Sequence, residues 1–221
     1  NTKWTWIAEM KCIPDWKCIS PKQINIMISS KNNGFGNAIY LQIPRLKNPI
    51  PLFIIFRAFN IIGDKDICEK IILNIDDNKY KKLLYGLQGS IVDANNCITY
   101  DDAIRYITSN VIYTPLNVDK ETGYKRKNEF AFEVINNDIF PHCKSNEQKI
   151  YMLGYMTNRL LQTSFEWIEQ SDRDSYLNKR IDLTGSLINN LLRNYLNKVV
   201  KDMQKQVVRE INSGSWKSNE D

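Results

Sequence analysis

Three aspartates fall close together near the C-terminal end of the chain, in DRDSYLNKRIDLTG (Asp172 to Gly185). Asp172 and Asp174 are two residues apart, and Asp182 lies eight further on. Converging carboxylates can hold divalent ions beside a phosphate, so metal-dependent phosphoryl transfer is one chemistry open to Asp172, Asp174 and Asp182. The same stretch contains Arg173, Lys179 and Arg180. Charge pairing and helix capping account for the carboxylates equally well, and spacing alone does not make a converging site. The compact mixture of basic and acidic groups also suits nucleic acid, since arginine and lysine donate to phosphate and a carboxylate can accept from a base edge.

Other chemistries find little support. His142 is the single histidine of the chain. It follows Pro141 and is accompanied by no nucleophile elbow. Cys143 beside it would need surroundings that stabilise a thiolate, and adjacent side chains seldom face one another. The five cysteines, Cys12, Cys18, Cys68, Cys97 and Cys143, are odd in number and lack C-x-x-C spacing. That pattern reads as reduced thiols in an intracellular compartment, with neither a disulfide framework nor a zinc site. Gly34-Phe35-Gly36 lacks the further glycine and the Lys-Ser/Thr of a phosphate loop and reads as a hairpin turn.

The elements that must position these residues follow from periodicity. Trp4 to Ile43 reads as strands: Trp4, Trp6 and Ala8 alternate with polar neighbours, Ile24, Ile26 and Ile28 do likewise, and Ala38–Ile43 is halted by Pro44. Asn32-Asn33-Gly34 marks a turn between two strands. From Pro49 onward the pattern is helical, and Pro51 suits a first helical turn. Leu52–Phe59 is apolar all round and so predicts a buried helix. Asp64 is placed to cap a helix over Lys65–Leu73, and further helices are predicted at Tyr80–Val92, Tyr100–Asn110, where Thr99-Tyr100-Asp101-Asp102 has capping-box-like spacing with Asp in place of Glu or Gln, and Asn128–Phe140. Val118–Arg126, with Gly123, reads as a polar loop. A capping box at Ser145 opens a long helix reaching about Trp167. A second runs from Thr184 to Ile211 with an apolar stripe from Leu187 to Val208. Its four-residue spacing argues against a long coiled coil, although a stand-alone helical interaction module remains an alternative. The fold class is α+β, mainly helical, with a small antiparallel sheet from the N-terminal strands.

The chain has 221 residues, 43% of them hydrophobic and 25% charged, which suffices for one large domain or two small ones. A net charge of +5 permits a nucleic-acid partner without requiring one. Basic residues concentrate at Lys120–Lys127, Arg173–Arg180 and Lys198–Arg209. The apolar run PIPLFIIF is too short to cross a bilayer, and no membrane partner is expected. Opening on Asn1 with residues that already look structural, the sequence reads as a piece of a larger protein.

DRDSYLNKRIDLTG resembles the D-x-D-x-x-x-N-K/R-R-x-x-x-x-G motif of the second-largest subunit of multisubunit DNA-directed RNA polymerases, matched at Asp172, Asp174, Asn178, Lys179, Arg180 and Gly185. Where the family commonly carries a histidine and a glycine, this chain has Ser175, Tyr176 and Leu177. WIAEMKCIPDW, IPLFIIFRAFNIIGDKDICEKI and KIYMLGYMTNRLL look like further family stretches in the same order. The pattern is closer to the eukaryotic, archaeal and large-DNA-virus subunits than to bacterial ones.

The resemblance implies a polymerase lobe-like domain over residues 1–181, a non-catalytic wall of the DNA cleft near downstream DNA. Residues 182–221 would begin a returning protrusion segment. It implies other polymerase subunits, initiation and elongation factors, and DNA as partners. It places no cofactor and no catalytic or metal-binding residue in this chain, the Mg2+ of the nucleotidyltransferase reaction being bound elsewhere in the complete enzyme. In bacterial relatives the residue matching Asp174 lies near the non-template strand at the downstream edge of the bubble. Arg173, Asp174, Lys179 and Arg180 are therefore the expected nucleic-acid-proximal residues. The implied location is the nucleus for a cellular protein, and the host cytoplasm or virion for a large DNA virus.

Overall fold

A computed structural model of the chain describes residues 3–13, 21–73, 77–114, 119–179 and 181–214. The strands are β1 (Trp4–Cys12), β2 (Lys22–Asn32), β3 (Asn37–Gln42) and β4 (Ile50–Pro51). The helices are α1 (Leu52–Ala58), α2 (Asp64–Ile72), α3 (Asn78–Asp93), α4 (Tyr100–Asn110), α5 (Lys120–Asn137), α6 (Asn146–Ser164) and α7 (Thr184–Asn212). A 3-10 turn covers Tyr176–Asn178. The expected class, mainly helical α+β with a small antiparallel sheet, is what forms. The chain divides into two units, one of Asn1–Pro14 and Pro21–Ser171, the other of Asp15–Ser20 and Asp172–Asp221.

In the larger unit the strands lie in the order β1-β2-β3-β4, each antiparallel to its neighbour. Ile26 sits opposite Leu41, and Ile28 opposite Ile39. The isoleucines of β2 that alternate in sequence all point into the core, joined there by Ile39 and Leu41. α3 packs against β3, and α6 against α2 and β1. Every residue of α1 is buried, as an all-round apolar segment requires. Burial of Phe53 and Phe56 alone contributes about 1.5–3 kcal/mol each.

α1 ends in a Schellman turn. Asn60 adopts φ 67°, its N–H donates to the Arg57 carbonyl (2.9 Å), and the Ile61 N–H reaches back to the Phe56 carbonyl (3.1 Å). Arg57, buried in this core, ties three elements. Its Nη1 donates to the carbonyls of Ala94 (2.7 Å) and Cys97 (2.6 Å), and its Nη2 to Asp64 Oδ1 (2.6 Å). Asp64 thus serves as the arginine's counter-charge. It is the first residue of α2 and not its cap, because Gly63 holds the cap position without a side-chain bond.

A larger departure from expectation concerns Val118–Arg126. It is no loop from residue 120 onward, because α5 begins at Lys120. Asp119 caps it by accepting from the Thr122 N–H (3.1 Å) and Thr122 Oγ1 (3.1 Å). Gly123, read as a loop residue, lies inside the helix, where the cap and the packing of Ala131, Val134 and Ile135 outweigh its poor propensity. The capping box at Thr99 forms as expected, whereas Ser145 caps α6 without the reciprocal bond of a full box. There, Ser145 Oγ accepts from the Gln148 N–H (3.3 Å), while Gln148 Oε1 accepts from Lys144 N (2.8 Å), one residue before the usual partner.

Candidate functional site

The DRDSYLNKRIDLTG segment belongs to the smaller unit, where it forms a pinned and exposed turn. Asp172 is turned toward the backbone. Its Oδ1 accepts from the Asp174 N–H (2.9 Å), and its carbonyl accepts from Asn178 Nδ2 (2.7 Å). Ser175 Oγ accepts from the Leu177 N–H (3.4 Å), and the Asn178 N–H closes on the Ser175 carbonyl (3.0 Å). The motif's Asp172 and Asn178 therefore shape the loop itself, using the short polar side chains that favour such local bonds.

With the turn fixed, its other side chains face solvent. Tyr176 is 86% exposed and Leu177 96%. Asp174 accepts from Lys179 Nζ at 3.2 Å, an exposed pair that sets geometry more than stability. Arg173 occupies the same turn, and Asp182 is exposed in the short stretch before α7. Arg180 lies outside the described residues. Asp174 and Lys179 are thus brought together, while Asp172 commits a carboxylate oxygen to the backbone. Among the described residues no group of three or more His, Cys, Asp or Glu side chains is arranged to hold a metal ion.

α7 follows directly. No residue of it is buried, and Leu187, Ile188, Leu191, Leu192, Tyr195 and Leu196 are each more than half exposed. The 29-residue helix therefore carries a long stripe of exposed apolar side chains. The thiols carry no sign of activation. Burial pushes Cys68 up to about 11 and raises Cys97 and Cys143. Among the described residues Cys12, Cys68, Cys97 and Cys143 form no disulfide with one another, and Cys18 lies outside them. His142 and Cys143 sit in the turn between α5 and α6.

Two of the stretches that resemble polymerase sequences act as scaffold. In KIYMLGYMTNRLL, Gly154 lets α6 cross the end of α2 backbone to backbone. A Cβ there would overlap the Lys70 carbonyl oxygen and lie 3.1 Å from its carbon. One turn later the buried Asn158 donates Nδ2 to the Ile71 carbonyl (2.8 Å), satisfying a terminal acceptor of α2. In IPLFIIFRAF, Arg57 performs the staple described above. The motif at 172–185 differs in kind, because among its described residues all but the half-buried Ser175 are exposed.

Comparison with known proteins covers both the scaffold stretches and most of the motif. The family model for RNA polymerase Rpb2, domain 2, matches residues 20–182. The chain belongs to this family. It is a second domain of the Rpb2-type, second-largest RNA polymerase subunit. It is 27% identical to DNA-directed RNA polymerase II subunit 2 of Arabidopsis thaliana, over 96% of this chain and 18% of the relative. Identity to the Schizosaccharomyces pombe subunit RPB2 is 31%, covering 86% of this chain and 15% of that protein. DNA-directed RNA polymerase subunit 2 of Acanthamoeba polyphaga mimivirus is 28% identical, over 76% of this chain and 15% of its own. The chain therefore spans less than a fifth of the length of these three relatives. No helix among the described residues is long and apolar enough to cross a membrane.

Two features of the structure have no counterpart in the sequence patterns. Phe35 stands at the hairpin tip at 62% exposure, although Gly34-Phe35-Gly36 gave notice only of a turn. The ion cluster around Asp138 joins residues far apart in sequence. Asp138 is buried and bonds Arg45 Nε (2.5 Å) and Lys22 Nζ (3.2 Å), and Arg45 also reaches Glu133 (2.9 Å) and lies over the Phe130 ring (4.9 Å). These contacts hold Arg45 at φ 66°, a left-handed backbone that non-glycine residues seldom adopt.

Proposed function

We propose that this domain forms the lobe, a non-catalytic wall of the DNA cleft, in a DNA-directed RNA polymerase, with the turn at residues 172–179 facing downstream DNA. The supporting observation is the pinned turn itself. Asp172 and Asn178 fix its backbone while Lys179 and Asp174 remain at the surface, 48% and 89% exposed. A preformed geometry of this kind lets a cation meet phosphate, and a carboxylate meet a base edge, with little ordering cost. Arg173 and Arg180 extend the same basic segment in sequence.

On this reading the Mg2+-dependent nucleotidyl transfer takes place elsewhere in the complete enzyme, and this domain positions DNA and docks other subunits and initiation or elongation factors. α7 begins the returning protrusion segment, and its apolar stripe is covered by another part of the same subunit. The protein works in the nucleus if cellular, and in host cytoplasm or virion if it comes from a large DNA virus.

The test is the assembled polymerase carrying Lys179→Ala and Arg180→Ala. Open complexes should dissociate at lower salt than those of the parent enzyme, because each phosphate left without its cation weakens binding and flattens its salt dependence. Identical behaviour across the salt series refutes the DNA-facing role of this turn.

A further inference from the structure

We infer that the β2–β3 hairpin tip and the adjoining flank of α3 form a stacking platform for single-stranded nucleic acid, separate from the turn at 172–179. A single exposed phenylalanine is ordinary; the mounting of Phe35 is not. Asn32 Oδ1 accepts from the N–H groups of Gly34 (2.8 Å) and Gly36 (3.0 Å), and Asn33 Oδ1 accepts from Phe35 N (3.2 Å). The Asn33 N–H donates to the Gly36 carbonyl (3.1 Å), and Asn33 Nδ2 bonds the Gly89 carbonyl in α3 (2.8 Å). Five hydrogen bonds therefore immobilise a tip whose aromatic ring stays in water. The hairpin also lies directly on the helix: a Cβ on Gly89 would meet the Gly36 carbonyl carbon and oxygen at 2.8 Å.

This packing sets the backbone of a second exposed aromatic residue against the tip. A Cβ on Gly36 would stand 3.7 Å from the Tyr85 carbonyl, and the Tyr85 side chain is 67% exposed. Lys81 and Lys82, one turn before Tyr85, are exposed, as are Gln88 one turn after it and Lys31 at the base of the tip. Among the described residues, none of these three lysines forms an ion pair with a carboxylate; Lys81 bonds only the Asn78 amide (3.1 Å). At the far end of α3 the Asp93 carboxylate lies beside Tyr40, where burial and then this carboxylate raise the Tyr40 hydroxyl.

An aromatic on a pinned tip, a second exposed aromatic on the adjoining helix, and lysines that form no ion pair among the described residues match the chemistry of an unpaired strand. Bases stack on the rings without regard to sequence, and phosphates meet the ammonium groups. A duplex hides its base faces and gains only the charge interactions.

The 221-residue chain is titrated into a fluorescent oligothymidylate of about 20 nucleotides at low salt, with anisotropy as the readout. Phe35→Ala and Tyr85→Ala should each weaken binding about five-fold or more, since loss of one stacked base is worth that much or above. Lys81→Ala with Lys82→Ala should flatten the salt slope by about 0.7 for each phosphate no longer neutralised. A duplex of equal length should bind more weakly and ignore Phe35→Ala. Lys179→Ala should leave the oligothymidylate affinity unchanged, so that failure here and failure of the cleft-wall reading are separable. Thermal melts of each variant verify that the fold persists. No binding, or binding indifferent to Phe35→Ala and Tyr85→Ala, overturns the inference. So does a polyglutamate peptide that binds as tightly and is lost with the same variants, which would make this an acidic-peptide site.

Discussion

Gly154→Ala offers the sharpest check on how this domain is held together. In an exposed helix interior, replacing glycine by alanine stabilises by about 1 kcal/mol. At Gly154 the new methyl group would overlap the Lys70 carbonyl oxygen and lie 3.1 Å from its carbon and 3.6 Å from Ile71 Cα. All three atoms are backbone, so none can rotate away as a side-chain terminus would. α6 must then slide off the end of α2, straining the buried bond from Asn158 to the Ile71 carbonyl. Overpacking costs about 1–3 kcal/mol, and its upper half applies against backbone. After subtraction of the propensity gain, a net loss of about 1–2 kcal/mol remains. For a unit of this size that lowers the melting midpoint by about 2–4 °C per kcal/mol. Thermal and urea unfolding followed by circular dichroism measure it. An unchanged or raised midpoint would refute the close approach of the two helices as the reason for glycine here. Combined with Asn158→Ala, the loss should fall short of the sum, since both changes act on one helix end.

Three further outcomes follow from the packing and the charges. Asp138→Asn removes the common counter-charge of Lys22 and Arg45; a loss of about 2–4 kcal/mol is expected in urea unfolding, below the full buried-pair value because both cations reach solvent. The Asp119 carboxylate is held below its ordinary value of 3.8 by the Thr122 backbone and side-chain bonds. A depressed acid contributes stability that is complete above that value and lost as pH falls through the lower folded value, so Asp119→Ala should reduce stability at pH 7 and flatten its decline below about pH 4 in an acid-unfolding series. Cys68, pushed up to about 11 by burial, should resist thiol-specific labelling at neutral pH until the chain is unfolded, as peptide mapping of the labelled cysteine would show.

Much of this architecture is legible in the sequence because it rests on periodicity and local bonding. The alternation Ile24-Ile26-Ile28, the all-apolar Leu52–Phe59 and the caps at Thr99 and Ser145 each declare their element within a few residues. The start of α5 is hidden because Gly123 and a run of charged residues in Val118–Arg126 outweigh a single capping aspartate. Asp64 looks like a cap because its actual partner, Arg57, lies one element earlier. The Asp138 cluster draws on β2, the loop after β3 and α5, so no local pattern could announce it. At the candidate site, the sequence shows which charges occur together between Asp172 and Asp182. It does not show that Asp172 turns inward to its own backbone while Asp174 stays out with Lys179. That split depends on which oxygen an amide hydrogen reaches, which spacing cannot resolve.

Whether the turn at 172–179 faces DNA in the assembled polymerase is tested most directly by a photo-crosslinking residue at Tyr176. Tyr176 is 86% exposed, and the bond its carbonyl accepts from the Lys179 N–H (3.4 Å) is a backbone bond that the replacement keeps, so the turn stays intact. In complexes formed on a promoter template with a melted bubble, irradiation should yield crosslinks to DNA at the downstream edge. Crosslinks confined to protein, with no DNA adduct at any template position, would mean that the turn points away from DNA.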